Sequence, residues 1–256
     1  MANYGKIEPG GNDTGAALNV SRRIGLVNKY INLDGKYILD CGCGSGDYVV
    51  EFLKYSSNVF GIEYNGDKVR AFKSLNIYPD KVTFGNVEHL NFENDKFDMV
   101  FVNEVLEHVS NERMALEEIR RVLKPYGIMM LFSPNRFYPF ETHGIKIRKN
   151  NFVLPHLVPF IPYIPLTLGN RIFVYGARNY FPWELRIKIE DSGFKIMAHT
   201  FIWQTFENLS RKSPWMLIML GPLLRKISFV LEKIPGLNIF GVSQVIIAKK
   251  DDKFKR

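Results

Sequence analysis

Apolar residues recur along this chain in two rhythms, one helical and one of short runs. Between residues 16 and 33, Ala17, Leu18, Ile24, Val27 and Ile31 return near the helical period and predict an amphipathic helix closing around Leu33-Asp34-Gly35. From Lys36 onward, short apolar runs predict strands at Tyr37–Leu39, Asn58–Ile62, Val82–Phe84, Phe97–Val102 and Ile128–Phe132. Helical patterns over Asp47–Tyr55, Asp67–Leu75 and Asn111–Leu123 separate them, the last stopped by Lys124-Pro125-Tyr126-Gly127. Such alternation belongs to a parallel sheet covered on both faces. Right-handed crossovers then bring every strand's carboxyl end to one edge, where open α/β sheets bind ligands.

After Ser133 the rhythm is lost. Residues 136 to 181 are rich in Pro, Phe, Tyr and Ile without a clean period. Trp183–Ser192 reads as a helix stopped by Gly193, Phe194–Trp203 as a strand, and Val242–Lys249 as a final strand. Residues 204 to 241 form a second irregular apolar stretch. The pattern predicts one domain over residues 1 to 256, with a core at 36 to 135. Two insertions, 136 to 181 and 204 to 241, are expected to overhang the ligand edge as lids.

Composition narrows the picture modestly. Of 256 residues, 46% are hydrophobic and 23% charged, ordinary values for a globular chain with a substantial core. A formal net charge of +8 favours anionic partners, without choosing among nucleic acid, phosphate-bearing substrates and an acidic membrane surface. Cys41 and Cys43 are the two cysteines, too few for a secreted disulfide framework. Residues 1 to 15 lack the apolar segment of a signal peptide, so a cytoplasmic protein is expected, with peripheral membrane contact open. The basic tail from Lys249 to Arg256 reads as a solvated segment.

The chemistry concentrates in Asp40-Cys41-Gly42-Cys43-Gly44-Ser45-Gly46, between the first predicted strand and the helix after it. Glycines there let backbone approach a ligand closely and accept positive φ, and the amides opening the next helix face that ligand. The dinucleotide fingerprint Gly-x-Gly-x-x-Gly needs glycine at position 47, where this chain has Asp47. An acid at Asp40 suits a ligand carrying ammonium and sulfonium charges and would repel a pyrophosphate. Glu63 follows Gly42 by about 20 residues, the length of a strand–helix–strand unit, and so can reach ribose hydroxyls.

This acidic-x-Gly-x-Gly-x-Gly loop resembles that of the class I S-adenosylmethionine-dependent methyltransferases. Gly85-Asn86-Val87-Glu88, the run Phe97–Val109 with its Leu106-Glu107-His108-Val109 ending, and Leu123–Ile128 resemble further segments of that family in order and spacing. The chain is similar in particular to the ubiquinone/menaquinone-methylating type. The resemblance implies a Rossmann-like, seven-stranded, mostly parallel sheet with helices on both faces, and S-adenosylmethionine as cofactor. It implies that Asp40, Gly42 and Gly44, in a loop completed by Gly46, hold the methionine end. Glu63 and Tyr64 would take the ribose and adenine, Val87 the adenine through its backbone, and Asn103 the methionine moiety. Asn86 stands where the family more often carries Asp. Either Arg22 or Arg23 could pair with the methionine carboxylate, or both could lie on a solvated helix face.

Methyl transfer from a sulfonium is an in-line displacement that needs alignment and exclusion of water. An oxygen or carbon nucleophile can also need a general base. Candidates are His108 after the fourth strand, His156, and the pair Glu141 and His143 in the segment leaving the fifth strand. Glu141 and His143 fit the roles of orienter and base. As metal ligands they would need further donors, and no metal is expected.

The insertions suggest the acceptor. Residues 152 to 170 carry no formal charge and contain Pro155, Pro159, Pro162 and Pro165, which makes a straight spanning helix improbable. Trp215–Leu224 is too short to span, and Arg211, Lys212, Arg225, Lys226 and Lys233 flank apolar residues around it. Basic residues bordering apolar ones suit an anionic membrane surface. The expectation is a small or lipid-linked acceptor: a quinone, a polyprenyl-linked sugar or a similar amphiphile. Rival readings are a non-catalytic cofactor-binding module and a nicotinamide oxidoreductase on the same fold. A nucleic-acid substrate is disfavoured, because Asn103-Glu104-Val105-Leu106 lacks the Asn-Pro-Pro-aromatic signature and the positive charge forms no dense stripe.

Overall fold

A computed structural model of the chain describes residues 17–149, 152–154, 158–206 and 215–251. The main sheet is built from β1 (Ile38–Cys41), β2 (Val59–Glu63), β3 (Val82–Phe84), β4 (Phe97–Asn103) and β5 (Leu123–Pro134). Helices α1 (Ala17–Val27), α2 (Asp47–Phe52), α3 (Gly66–Ser74) and α4 (Glu112–Val122) precede or connect them. The first insertion holds β6 (Ile145–Ile147), β7 (Val153–Leu154), α5 (Leu166–Ile172) and β8 (Phe173–Tyr175). Then come α6 (Pro182–Asp191), β9 (Phe194–Ile202), α7 (Trp215–Lys233) and β10 (Ser243–Lys250).

The seven strands lie in the order β3-β2-β1-β4-β5-β10-β9. The first five pair in parallel, and β10 runs antiparallel to both β5 and β9. Strand ends Cys41, Glu63, Phe84, Asn103 and Pro134 therefore share one edge, joined by Ser243 at the start of β10. Alternation along each strand splits the core in two. Ile38, Phe101, Phe132 and Val245 pack with α1, α2 and α3, whereas Leu39, Val102, Leu131 and Ile246 pack with α4 and α6. Helices cover both faces, as the strand pattern demands.

Phe101 anchors the first of these layers. It is fully buried, with ring centroids 4.8 Å from Tyr48, 5.3 Å from Phe52 and 5.3 Å from Phe132. Phe101→Ala should cost about 3–5 kcal/mol in urea unfolding; a loss under about 1 kcal/mol would mean the layer repacks freely.

Three sequence expectations are corrected. The helix stops before Lys124–Gly127 as expected, but the fifth strand, expected from Ile128, already starts at Leu123 directly after α4 and includes these residues. Pro125 is tolerated because pairing with β4 shifts register there, between Phe97 and Met99, so no ladder donor is required of it. Residues 136 to 181 are not irregular throughout: β7, β6 and β8 form a separate three-stranded sheet with its own small core of Ile145, Ile161 and Tyr175. Arg136 ties that unit together by donating to the Pro162 carbonyl at 2.8 Å and the Ile164 carbonyl at 2.9 Å. The second stretch folds into the 19-residue α7, which carries Pro222 within it. Three prolines of the first stretch, Pro159, Pro162 and Pro165, border or open short turns; Pro155 and His156 lie outside the described residues, as do Arg211, Lys212 and residues 252 to 256.

Candidate active site

The glycine loop occupies the carboxyl end of β1. Gly42, Gly44 and Gly46 take φ of +69°, +56° and +87°, a left-handed region that side chains disfavour. A Cβ on Gly42 would lie 2.5 Å from Val105 Cγ2, and one on Gly46 would collide with the Phe72 ring. The loop thus presses against the segment following β4, and only bare backbone fits. The Gly44 amide donates to Glu63 Oε2 at 2.9 Å, while the Gly46 amide closes onto the Cys43 carbonyl at 2.8 Å.

Asp40 is almost completely buried beneath this loop, and among the described residues its Oδ2 has no hydrogen-bond partner. Burial, with the charges of Glu63 and Asp47, pushes its carboxyl up to about 8. Such an orphaned acid is costly unless a cation arrives. It fits a cofactor bearing ammonium and sulfonium groups.

Glu63, at the end of β2, also accepts from the Asn65 amide at 2.7 Å, which aims its carboxylate along the loop. Tyr64 stands exposed and stacks on Phe84, with centroids 5.8 Å apart and 29° between planes. Phe84 was not among the sequence candidates, although its place at the end of β3 was a usable signal. Val87 is buried, and Asn86 is spent locally, its Oδ1 accepting from the Glu88 amide at 2.9 Å.

The two arginines of α1 part company. Arg22 points away to Glu232 and the Trp203 carbonyl, with its guanidinium 4.5 Å above the Phe229 ring. Arg23 is buried over the strand edge, donating to Asn103 Oδ1 and reaching Glu104 Oε1 at 3.3 Å. Of the pair, Arg23 is the one at the sheet's carboxyl edge, where it holds Asn103.

A second cluster follows β4. Glu104 adopts φ +54° and pairs with Ser243 Oγ at 2.5 Å as well as with Arg23. Although burial opposes it, Arg23 and His143 hold its carboxyl below the ordinary range. Three residues on, Glu107 is completely buried beside the Glu104 carboxyl, and among the described residues neither of its oxygens meets an N–H or hydroxyl donor. Burial and then Glu104 push it well above the usual carboxylate range. His143 Nε2 lies 3.9 Å from Glu107 Oε1 and 4.0 Å from Glu104 Oε2; His108 Nε2 lies 4.0 Å from Glu107 Oε1. Burial, followed by His143, brings His108 down to about 4, so its imidazole is neutral at physiological pH.

The structure therefore unites His108 and His143 but separates Glu141 from them. The Glu141 carboxylate is turned into its own loop, accepting from the His143 amide at 2.8 Å and Asn179 Nδ2 at 3.0 Å. It holds the backbone that presents His143. Glu104 and Glu107 are the carboxyl groups that lie within 4.0 Å of the two imidazoles among the described residues. Glu107, His108 and His143 each offer a donor atom, all within 4.8 Å of one another. These are the further donors a metal site would need, and nitrogen with carboxylate oxygen suits a divalent cation.

An α/β sheet whose glycine loop covers a buried acid, with an acid at the end of the second strand, defines a protein that seats a cationic nucleoside. Comparison with known proteins makes this specific. Residues 39–131 match the family described as a methyltransferase domain. The chain is 27% identical over 198 residues to the tRNA U34 carboxymethyltransferase of Campylobacter curvus, with 76% of this chain and 60% of that protein covered. It is 33% identical over 164 residues to an uncharacterised protein of Methanocaldococcus jannaschii, covering 56% and 70% respectively. With the ubiquinone biosynthesis O-methyltransferase of Glaesserella parasuis it shares 29% over 123 residues, covering 44% and 52%. Among solved structures, an S-adenosylmethionine-dependent methyltransferase of Mesorhizobium loti superposes with TM-score 0.57 over 89% of this chain and 96% of that one, at 11% identity, a likeness of fold. The chain belongs to the class I S-adenosylmethionine-dependent methyltransferases. It spans 60% of the carboxymethyltransferase and 52% of the ubiquinone enzyme.

Proposed function

We propose that this domain methylates a hydroxyl of a small or lipid-linked acceptor, such as a quinone, a polyprenyl-linked sugar or a similar amphiphile. The observation that carries the reading is His143 Nε2 lying 4.0 Å from the ionised Glu104 carboxylate and 3.9 Å from the buried Glu107 carboxyl, on the segment against which the Gly42 turn packs. S-adenosylmethionine, when bound, supplies an electrophilic methyl on a sulfonium, displaced in line. Asp40 and the loop glycines receive its amino-acid end together with Arg23 and Asn103, Glu63 takes the ribose, and the Tyr64–Phe84 stack borders the adenine. His143 Nε2 accepts the hydroxyl proton as the acceptor oxygen bonds to the methyl carbon and the carbon–sulfur pair stays on sulfur. Glu104, whose carboxyl is held low and lies 4.0 Å from Nε2, balances the imidazolium so formed, and Glu141 fixes the backbone that presents it. The β6–β8 sheet that follows His143 in the chain shields the acceptor side from water. The oxygen-directed name of the Glaesserella relative supports a hydroxyl nucleophile.

His143→Ala is expected to lower kcat by roughly 10²- to 10⁴-fold while leaving cofactor affinity within a factor of about three. Radiolabelled S-adenosylmethionine incubated with cell extract and protein should place label in the lipid or small-molecule fraction. Label in RNA would transfer the reading to a nucleic-acid acceptor, and wild-type turnover by the alanine variant would remove His143 as the base.

The buried Glu107 favours a second reading of the same cluster. Here Glu107, His108 and His143, with Glu104 beside them, hold a divalent cation that fixes the acceptor. Mn²⁺ would then raise the melting temperature of wild-type protein but not of Glu107→Gln. Full turnover after chelation would leave the base reading alone.

A further inference from the structure

Helix α7 packs on the domain by one face. Ser228 and Gly221 are buried, Arg225 Nε donates to the Thr205 carbonyl at 2.7 Å, and Phe229 lies under Arg22. Glu232, the single acid of α7, is also turned inward, taking Arg22 and the Trp203 amide at 2.8 Å. The other face is apolar, and among the described residues nothing covers it. Met219, Leu223, Ile227 and Val230 recur at helical spacing and are 71%, 55%, 45% and 59% exposed. Exposed Lys226 and Lys233 lie along the same side.

Isolated exposed leucines need no explanation, but a continuous stripe on one helix does. Its charge decides the occupant. The stripe is bordered by lysines, its helix hides its only carboxylate, and the whole chain carries +8. A protein partner would face an unpaired cationic rim, whereas an anionic bilayer supplies both the apolar layer and the counter-charge. Among the described residues no helix is long and apolar enough to cross a membrane, so α7 fits the surface and not the interior.

We propose that α7 docks this domain on an anionic membrane surface, with Met219, Leu223, Ile227 and Val230 in the acyl boundary and Lys226 and Lys233 at the phosphates. Arg22, held by α7, directly precedes Arg23, which reaches Asn103 and Glu104 at the site. Docking therefore brings the acceptor side of the sheet edge close to the bilayer. The inference deepens the lipid-linked arm of the proposed function and rests on it for its purpose, yet it is tested without turnover.

Co-sedimentation of the full chain with phosphatidylglycerol-containing vesicles should exceed that with pure phosphatidylcholine by roughly tenfold or more at low salt, and fall as salt rises. Leu223→Asp with Val230→Asp should abolish binding, and Lys226→Glu with Lys233→Glu should remove the preference for anionic lipid. S-adenosylmethionine calorimetry on the same variants should be unchanged, which shows them folded and separates failure of docking from failure of the enzyme reading. Equal binding to both vesicle types, no binding at low salt, or a concentration-dependent dimer that the aspartates dissolve would overturn the proposal.

Discussion

Gly42→Ala is expected to destabilise the protein by about 2–5 kcal/mol and to abolish measurable cofactor binding. Two costs add. A left-handed residue with a Cβ costs about 1–2 kcal/mol, and forcing a methyl into packed surroundings costs about 1–3 kcal/mol. Both apply, since Gly42 has φ +69° and its added Cβ would meet Val105 Cγ2 at 2.5 Å. Binding suffers more than stability, because the turn can escape the clash only by moving its amides off the ligand. Val105→Ala in the same chain removes the steric part and leaves the backbone part, so the double variant should recover roughly half of the lost stability. Urea unfolding and calorimetry with S-adenosylmethionine measure the two effects. Wild-type affinity in the single variant would show that the Gly42 turn does not touch the cofactor.

Cofactor affinity should rise with pH roughly tenfold per unit from about pH 6 and level off near pH 8. In the free protein the buried Asp40 carboxyl is pushed up to about 8, chiefly by burial and then by Glu63 and Asp47. Below that pH it is mostly protonated and neutral, and a cation must displace its proton to bind. Calorimetry in buffers of different ionisation enthalpy should therefore detect close to one proton released per cofactor at pH 6.5. Deprotonation of the cofactor's own amine works in the opposite direction, so a rising affinity comes from the protein. Folding runs the other way. With its folded value above its unfolded one, Asp40 contributes stability that is present below about pH 4 and is lost as pH climbs to about 8. The cofactor-induced rise in melting temperature should then be larger at pH 8.5 than at pH 6. Asp40→Asn should bind roughly 10- to 100-fold more weakly at pH 8.5 and lose the rise with pH. A flat affinity profile in the wild-type protein would detach Asp40 from the cofactor.

Much of this candidate site is legible in the sequence. The strand runs, the glycines at 42, 44 and 46 and the acids at 40 and 63 depend on local requirements: a period, a positive φ, a charge at a strand end. Those requirements are written into neighbouring residues. His108 and His143 are also legible as candidates, from their places after the fourth and fifth strands. Their common neighbour is not, because Glu107 is notable only for being buried without an N–H or hydroxyl donor among the described residues, and burial belongs to the folded chain.

The sequence by itself determined the class of sheet, its ligand edge, and a loop suited to a cationic nucleoside, since backbone geometry and alternation are short-range properties. Tertiary structure alone decided that Arg23 and not Arg22 faces the edge, that Glu141 supports the loop bearing His143, and that His143 meets Glu107 across two distant segments. It also decided that the apolar stretch after β9 becomes a helix with one exposed, lysine-bordered face. The reason is common to all four. The direction of a side chain on a helix or loop is set by which surface that element packs against, and residues far apart in the chain supply that surface.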